Sequence, residues 1–283
     1  MADTVETPPD PAAPADDAAN PRWSVVIPYY NEAGFLPATV QTLLAQTLRP
    51  FDLILVDNAS TDGSPQLARG LTDGVGGIRT RHLTETEPGQ VHALETGIAA
   101  VETPFVAICD ADTLYPETYL ATADRVFRQA GDNVVAALAH GLSAPPTSLA
   151  GRLSRLKRMA VARLLPDQCH AGGYAHTFRT AALKAAGGYS KALWPYVLKD
   201  HELMHRVLKH GRAAYAWDFW CRASDRRDDR GGVRWTLSER LIYHVSPAMA
   251  KDWFFYRFLA PRFEARQMSE LNLRQRGWED DQG

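Results

Sequence analysis

The strongest constraint in this sequence is one junction that occurs three times. An apolar run rich in Val and Ile stops abruptly at polar residues in "SVVIPYYNE" from Ser24, "LILVDNAS" from Leu53 and "FVAICDADT" from Phe105. A short apolar run without polar alternation reads as a strand buried on both faces. Strand patterns at 23–28, 51–56, 78–83, 105–109 and 134–139 alternate with helical patterns at 35–46, 64–71, 89–101 and 116–129. In the first helix, Leu36, Val40, Leu43 and Leu44 share one side. Such alternation predicts an α/β fold: a Rossmann-like, mainly parallel sheet with helices on both faces. After residue 140 the rhythm changes. A basic helix at about 151–165 precedes the Gly-rich "CHAGGYAHTF", a helix at 179–186, a "GGYS" turn and a helix at 200–210.

In open α/β sheets, ligands bind beyond the carboxyl ends of the strands. The three polar strand ends then line one crevice. Tyr30 offers a flat ring for a base, and Asp57 accepts hydrogen bonds from a base or ribose. Asp110 and Asp112 are carboxylates suited to a hard cation. A nucleotide diphosphate, whose charge must be balanced as it leaves, suits this inventory.

The bulk numbers narrow the class. The chain has 283 residues, of which 45% are hydrophobic, enough for a substantial core. A formal charge of −2 argues against a nucleic-acid partner, which needs a basic surface. Cys109, Cys169 and Cys221 are few, odd in number and far apart, which points to a reducing, cytoplasmic setting. Residues 1–22 are acidic and rich in Pro and Ala. They read as a disordered tail and not as a secretory signal. No run approaches the roughly 18 apolar residues of a spanning helix, so any membrane contact is expected to be peripheral.

Taken in order, "SVVIPYYNE", "LVDNASTDGS", "CDADT", "GGYAHTFRTAALKAAGGYS" and "KDHELMHRVLKHGR" resemble a family 2 glycosyltransferase over residues 23 to about 245. The resemblance implies a GT-A domain at 23–245, followed by a C-terminal helical extension and polar tail at 246–283. It implies inverting transfer of a sugar from a nucleotide-diphosphate sugar, with UDP favoured, to a glycan or lipid-linked acceptor, aided by Mn²⁺ or Mg²⁺. Pro28, Tyr30, Glu32, Asp57 and Asp110 would bind the nucleotide-sugar, Asp112 with Asp110 the metal, and Asp200 would be the catalytic base. Two positions depart from the family pattern. Lys199 stands where Glu usually precedes the base, and Glu95 where Asn is frequent.

Other segments carry weaker expectations. "SDRRDDRGG" (224–232) suggests a closing loop in which Arg226 or Arg227 meets the diphosphate. His244, after the helical "RWTLSERLIY", is a candidate additional metal ligand. Glu202 and Arg206 are spaced for a helix-surface pair. The "GGY" pairs read either as plain turns or as places where backbone approaches a sugar. The basic helix, including Arg155 and Arg158, and the aromatic "WFFYRFLAPRF" together suggest contact with an anionic membrane surface. Two rival functions are a sugar-nucleotide nucleotidyltransferase and a silent sugar-nucleotide-binding protein. The first lacks its Gly-rich phosphate loop here. The second is disfavoured by the retained Asp110, Asp112 and Asp200.

Overall fold

The computed structural model describes residues 20–224 and 236–269. Its frame is a seven-stranded sheet in the order β3-β2-β1-β4-β8-β6-β9. The strands are β1 (Trp23–Tyr29), β2 (Phe51–Asp57), β3 (Ile78–Thr84), β4 (Phe105–Ile108), β6 (Val134–Leu138), β8 (His176–Arg179) and β9 (Arg212–Ala214). The first four are parallel neighbours, as the alternating pattern predicts, and β1, β2 and β4 are buried throughout. Helices α1 (Leu36–Leu44), α2 (Ser64–Thr72), α3 (Gln90–Ala99) and α4 (Tyr119–Ala130) fall on the expected segments, α2 and α4 each ending one residue later.

In this sheet neither β8 nor β9 was anticipated. β8 runs antiparallel between β4 and β6, so Thr177 faces both Ala107 and Ala137. Its sequence, "HTFR", is four residues long and emerges from a Gly-rich stretch, too short to show a period. A second, three-stranded sheet, β5 (Thr113–Leu114), β10 (Trp220–Ala223) and β7 (His140–Leu142), has β10 at its centre. It extends the fold beside the end of β4.

The remaining helices are α5 (Leu149–Leu164), α6 (Thr180–Ala185), α7 (Lys199–Val207), α8 (Leu237–Val245) and α9 (Ala260–Ala265). His244 lies in the last turn of α8 rather than after it. The aromatic segment turns inward. Phe254, Phe255, Leu259 and Phe263 pack with Trp194 and Tyr243 in a second apolar cluster, and the chain there winds as a π-helix over Trp253–Leu259. Burying these rings removes them from any lipid contact; of the segment's large apolar side chains, Trp253 is the one more than half exposed.

The Glu202–Arg206 pair is also inside and not on the helix surface. Arg206 Nε and Nη2 donate to the two Glu202 oxygens at 2.7 and 2.9 Å, and both side chains are buried. Tyr256 donates to Glu202 and Arg206 donates to the Ala186 carbonyl, so the pair joins α7 to the C-terminal segment. The three cysteines are free and buried. No helix among the described residues is long and apolar enough to cross a membrane.

Candidate active site

Pairing β1 with both β2 and β4 brings the three polar strand ends to one edge of the sheet. The loops after β1 and β2 are stitched together there. Asn31 accepts from the Thr61 amide at 2.8 Å, Ser64 Oγ accepts from the Glu32 amide at 2.8 Å, and Asp62 accepts from Ala33 and Ser64. "ASTDGS" therefore serves largely to clamp the Tyr30–Glu32 loop. Pro28 lies in β1 opposite Val56, and Tyr30 stands half-buried just past the strand. Asp57 ends β2 and accepts from the Ser60 amide at 3.1 Å. Its neighbour Asn58, not singled out in the sequence, holds the loop before α3: it donates to the Glu85 and Glu87 carbonyls and accepts from Gly89 at 2.8 Å. Gly89 has φ 133°, a conformation open to glycine.

That loop delivers Gln90 to the centre of the site. Gln90 donates to Asp110 Oδ1 at 3.2 Å and accepts from Lys199 Nζ at 2.7 Å. The unusual lysine is thereby linked to the Asp-Ala-Asp loop. Asp112 is buried and accepts from Ser224 Oγ at 3.1 Å, because β10 ends beside it. Arg226 and Arg227 follow directly in the chain but lie outside the described residues. Glu95 turns to the Lys191 amide at 3.2 Å, at the edge of the site.

Asp200 opens α7, as its sequence suggests, but its carboxylate does not simply cap the helix. Oδ2 accepts from the Gly173 amide and Oδ1 from the Tyr189 hydroxyl, each at 2.9 Å. The two "GGY" motifs thus converge on one carboxylate. They were visible as motifs, but their common target was not. A Cβ at Gly173 would fall 2.3 Å from Asp200 Oδ1, so any side chain there would displace the carboxylate. Burial pushes the Asp200 pKa up, while His176, Lys199, the Tyr189 bond and His201 outweigh it, leaving the group below the ordinary aspartate value. Tyr189 is driven the other way, by burial and by Asp200, and stays a donor.

His244 sits on the Asp200 side of the molecule. It bonds Gln168 Oε1 at 2.8 Å, and its field reaches His170 and His201. Burial holds the imidazole of His201 down at about 4, and burial also lowers those of His170, His176 and His244. Among the described residues no three His, Cys, Asp or Glu side chains converge as a closed metal site. The donor set at the β4 end is still chemically apt: two carboxylates one residue apart suit a magnesium-like ion whose shell is completed by phosphate oxygens. Asp112 and Asp110 fit that role, while His244 is not gathered with them.

A sheet of this order with acidic groups at its strand ends defines a GT-A glycosyltransferase fold. The chain belongs to glycosyl transferase family 2, whose model matches residues 24–184. It is similar to a mannosyltransferase, PcManGT from Pyrobaculum calidifontis, solved with GDP-Man and Mn²⁺. The TM-score is 0.58 and the identity 25%, over 86% of this chain and 67% of that one. It is 30% identical over 112 residues to glycosyltransferase GlyG of Streptococcus pneumoniae, covering 40% of this chain and 37% of the relative. It is 32% identical over 116 residues to the undecaprenyl-phosphate 4-deoxy-4-formamido-L-arabinose transferase of Serratia proteamaculans, covering 40% and 36%. The chain thus spans less than two fifths of the length of these curated relatives.

Proposed function

We propose that the protein is an inverting glycosyltransferase that moves a sugar from a nucleotide-diphosphate sugar to a hydroxyl of a glycan or lipid-linked acceptor, with Asp200 as general base. The observation that carries this reading is the link from Asp200's neighbour Lys199, through Gln90, to Asp110. It couples a carboxylate built to stay ionised to the acidic pair at the strand end. The nucleotide would lie along Pro28, Tyr30, Glu32 and Asp57, with Asp110 near the ribose.

In this reading the acceptor hydroxyl gives its proton to Asp200 as its oxygen bonds the anomeric carbon. The bond from that carbon to the diphosphate breaks, and the diphosphate keeps the electron pair. One base suffices for a single displacement, which inverts the anomeric centre. Gly173 and Tyr189 each occupy one lone pair of the Asp200 carboxylate, and each oxygen has a second to offer the acceptor. Asp112 and Asp110 would hold a Mn²⁺ or Mg²⁺ ion, which when bound neutralises charge on the diphosphate. The membrane as the place where a lipid-linked acceptor is met belongs to the same proposal, and is favoured by the lipid-phosphate transferase among the relatives.

The test is release of nucleoside diphosphate from UDP- and GDP-sugars, with Asp200→Asn beside the wild type. Asn keeps the shape but takes no proton, so turnover should fall by about 100-fold or more with donor binding retained. Turnover within a few-fold of wild type would remove Asp200 from the role of base.

A further inference from the structure

Helix α5 is packed the wrong way round for a soluble surface helix. Its outward stripe is Leu149, Leu153, Leu156 and Leu164, between 56% and 78% exposed. Its inward face carries Gly151 and Arg155. Arg155 donates to the Trp217 and Pro146 carbonyls and lies 4.2 Å over the Trp217 ring, and Arg158 reaches the Gly141 carbonyl. These two arginines fasten the helix down instead of reaching outward.

Helix α8 repeats the arrangement. Glu239 and Tyr243 are buried, while Leu237, Leu241 and Val245, spaced four apart, are 63% to 85% exposed. The carboxyl ends of the two helices meet through Gln168, which bonds the His244 carbonyl and ring. Met249 and Trp253 continue the exposed apolar surface just beyond α8.

Charge says what covers it. Arg152, Lys157 and Arg163 flank the α5 stripe and Arg240 flanks that of α8, all exposed. Neither helix shows a carboxylate: α5 has none, and Glu239 is held inside by Thr236 and Arg266. The nearest in sequence is the exposed Asp167, past the end of α5. Pairing α5 with its own copy would set these cations against one another, with no carboxylate on the same helix to answer them. An anionic bilayer supplies both an apolar interior and negative headgroups. Beside the stripe, an open pocket of about 470 Å³ is lined by Arg152, Arg155, Trp217 and Trp220, a chemistry suited to a phosphate headgroup.

We propose that the outward faces of α5 and α8 form one docking surface for an anionic lipid bilayer. The proposal rests on the functional reading only in that a lipid-linked acceptor gives the surface a use. Sedimentation of the full chain with phosphatidylcholine vesicles, with and without phosphatidylglycerol, tests it at low and high salt. Binding should require phosphatidylglycerol and weaken with salt. Leu153→Asp with Leu241→Asp, and separately Arg152→Glu with Arg163→Glu, should each lower binding by about tenfold or more, with thermal melts unchanged. No binding at low salt would overturn the proposal, as would equal binding by either double variant. A concentration-dependent dimer that the leucine variant abolishes would overturn it in favour of a contact between copies. Neither donor nor acceptor is present in this assay, so its failure leaves the transfer reading untouched, and failed transfer leaves the surface untouched.

Discussion

Replacing Gly173 by Ala tests whether the position of Asp200, and not only its presence, matters. The new methyl would lie 2.3 Å from Asp200 Oδ1 and 2.8 Å from its Cγ, well inside contact distance. To reach an ordinary separation the carboxylate must withdraw by about 1 Å, and a misplacement of that size costs on the order of 100-fold in rate. The withdrawal also stretches the bonds from the Gly173 amide and the Tyr189 hydroxyl, both 2.9 Å long. Two weakened hydrogen bonds cost roughly 1–3 kcal/mol, which a domain of this size survives. The strand ends that would hold the donor are untouched. Steady-state kinetics with a donor titration should therefore show kcat reduced by about 100-fold and donor affinity nearly unchanged. A kcat within about threefold of wild type, in a folded variant, would refute the argument that Gly173 fixes the working position of Asp200.

Asp112→Asn should remove most metal-dependent transfer, because an amide is a poorer ligand for a hard cation; full turnover of this variant, or of wild type in excess chelator, contradicts it. Arg206→Met leaves Glu202 buried and charged with Tyr256 as its hydrogen-bond donor, so denaturant unfolding should show a loss of about 3–5 kcal/mol, and a loss under about 1 kcal/mol would return the pair to a minor role. Lys251 is buried, donates to the Tyr243 carbonyl and lies 3.9 Å over the Tyr243 ring. Burial lowers its pKa from 10.5 to about 8. Above pH 8 the unfolded chain binds the proton that the folded chain has released, so stability should rise between pH 8 and 10.5. Lys251→Met should flatten that rise; identical pH profiles of the unfolding free energy for the two proteins would show that Lys251 is not the group responsible.

The sequence by itself determined the parallel half of the sheet and which candidate residues stand at its edge. β1, β2 and β4 are buried along their whole length, predominantly apolar, and run into polar residues, and that signal is local: a strand buried on both faces does not alternate. Asp57, Asp110 and Asp112 could be singled out as candidates because they stand at strand ends, and Asp200 through the family resemblance and its place in the first turn of α7. What surrounds them was decided by tertiary structure. Gly173 and Tyr189 are 27 and 11 residues from Asp200, and Lys199 is 109 from Gln90. No local pattern records which loops a seven-stranded order brings together, and inserting β8 antiparallel is what places the Gly-rich turn beside the β4 end. The direction of an apolar stripe is also not in its period. "WFFYRF" turned inward because Trp194 and Tyr243 were there to pack against, while the leucines of α5 turned outward because Arg155 had the Trp217 and Pro146 carbonyls to hold it inside. A helix's sequence defines a face; only the segments folded around it determine whether that face finds protein or is left for another surface.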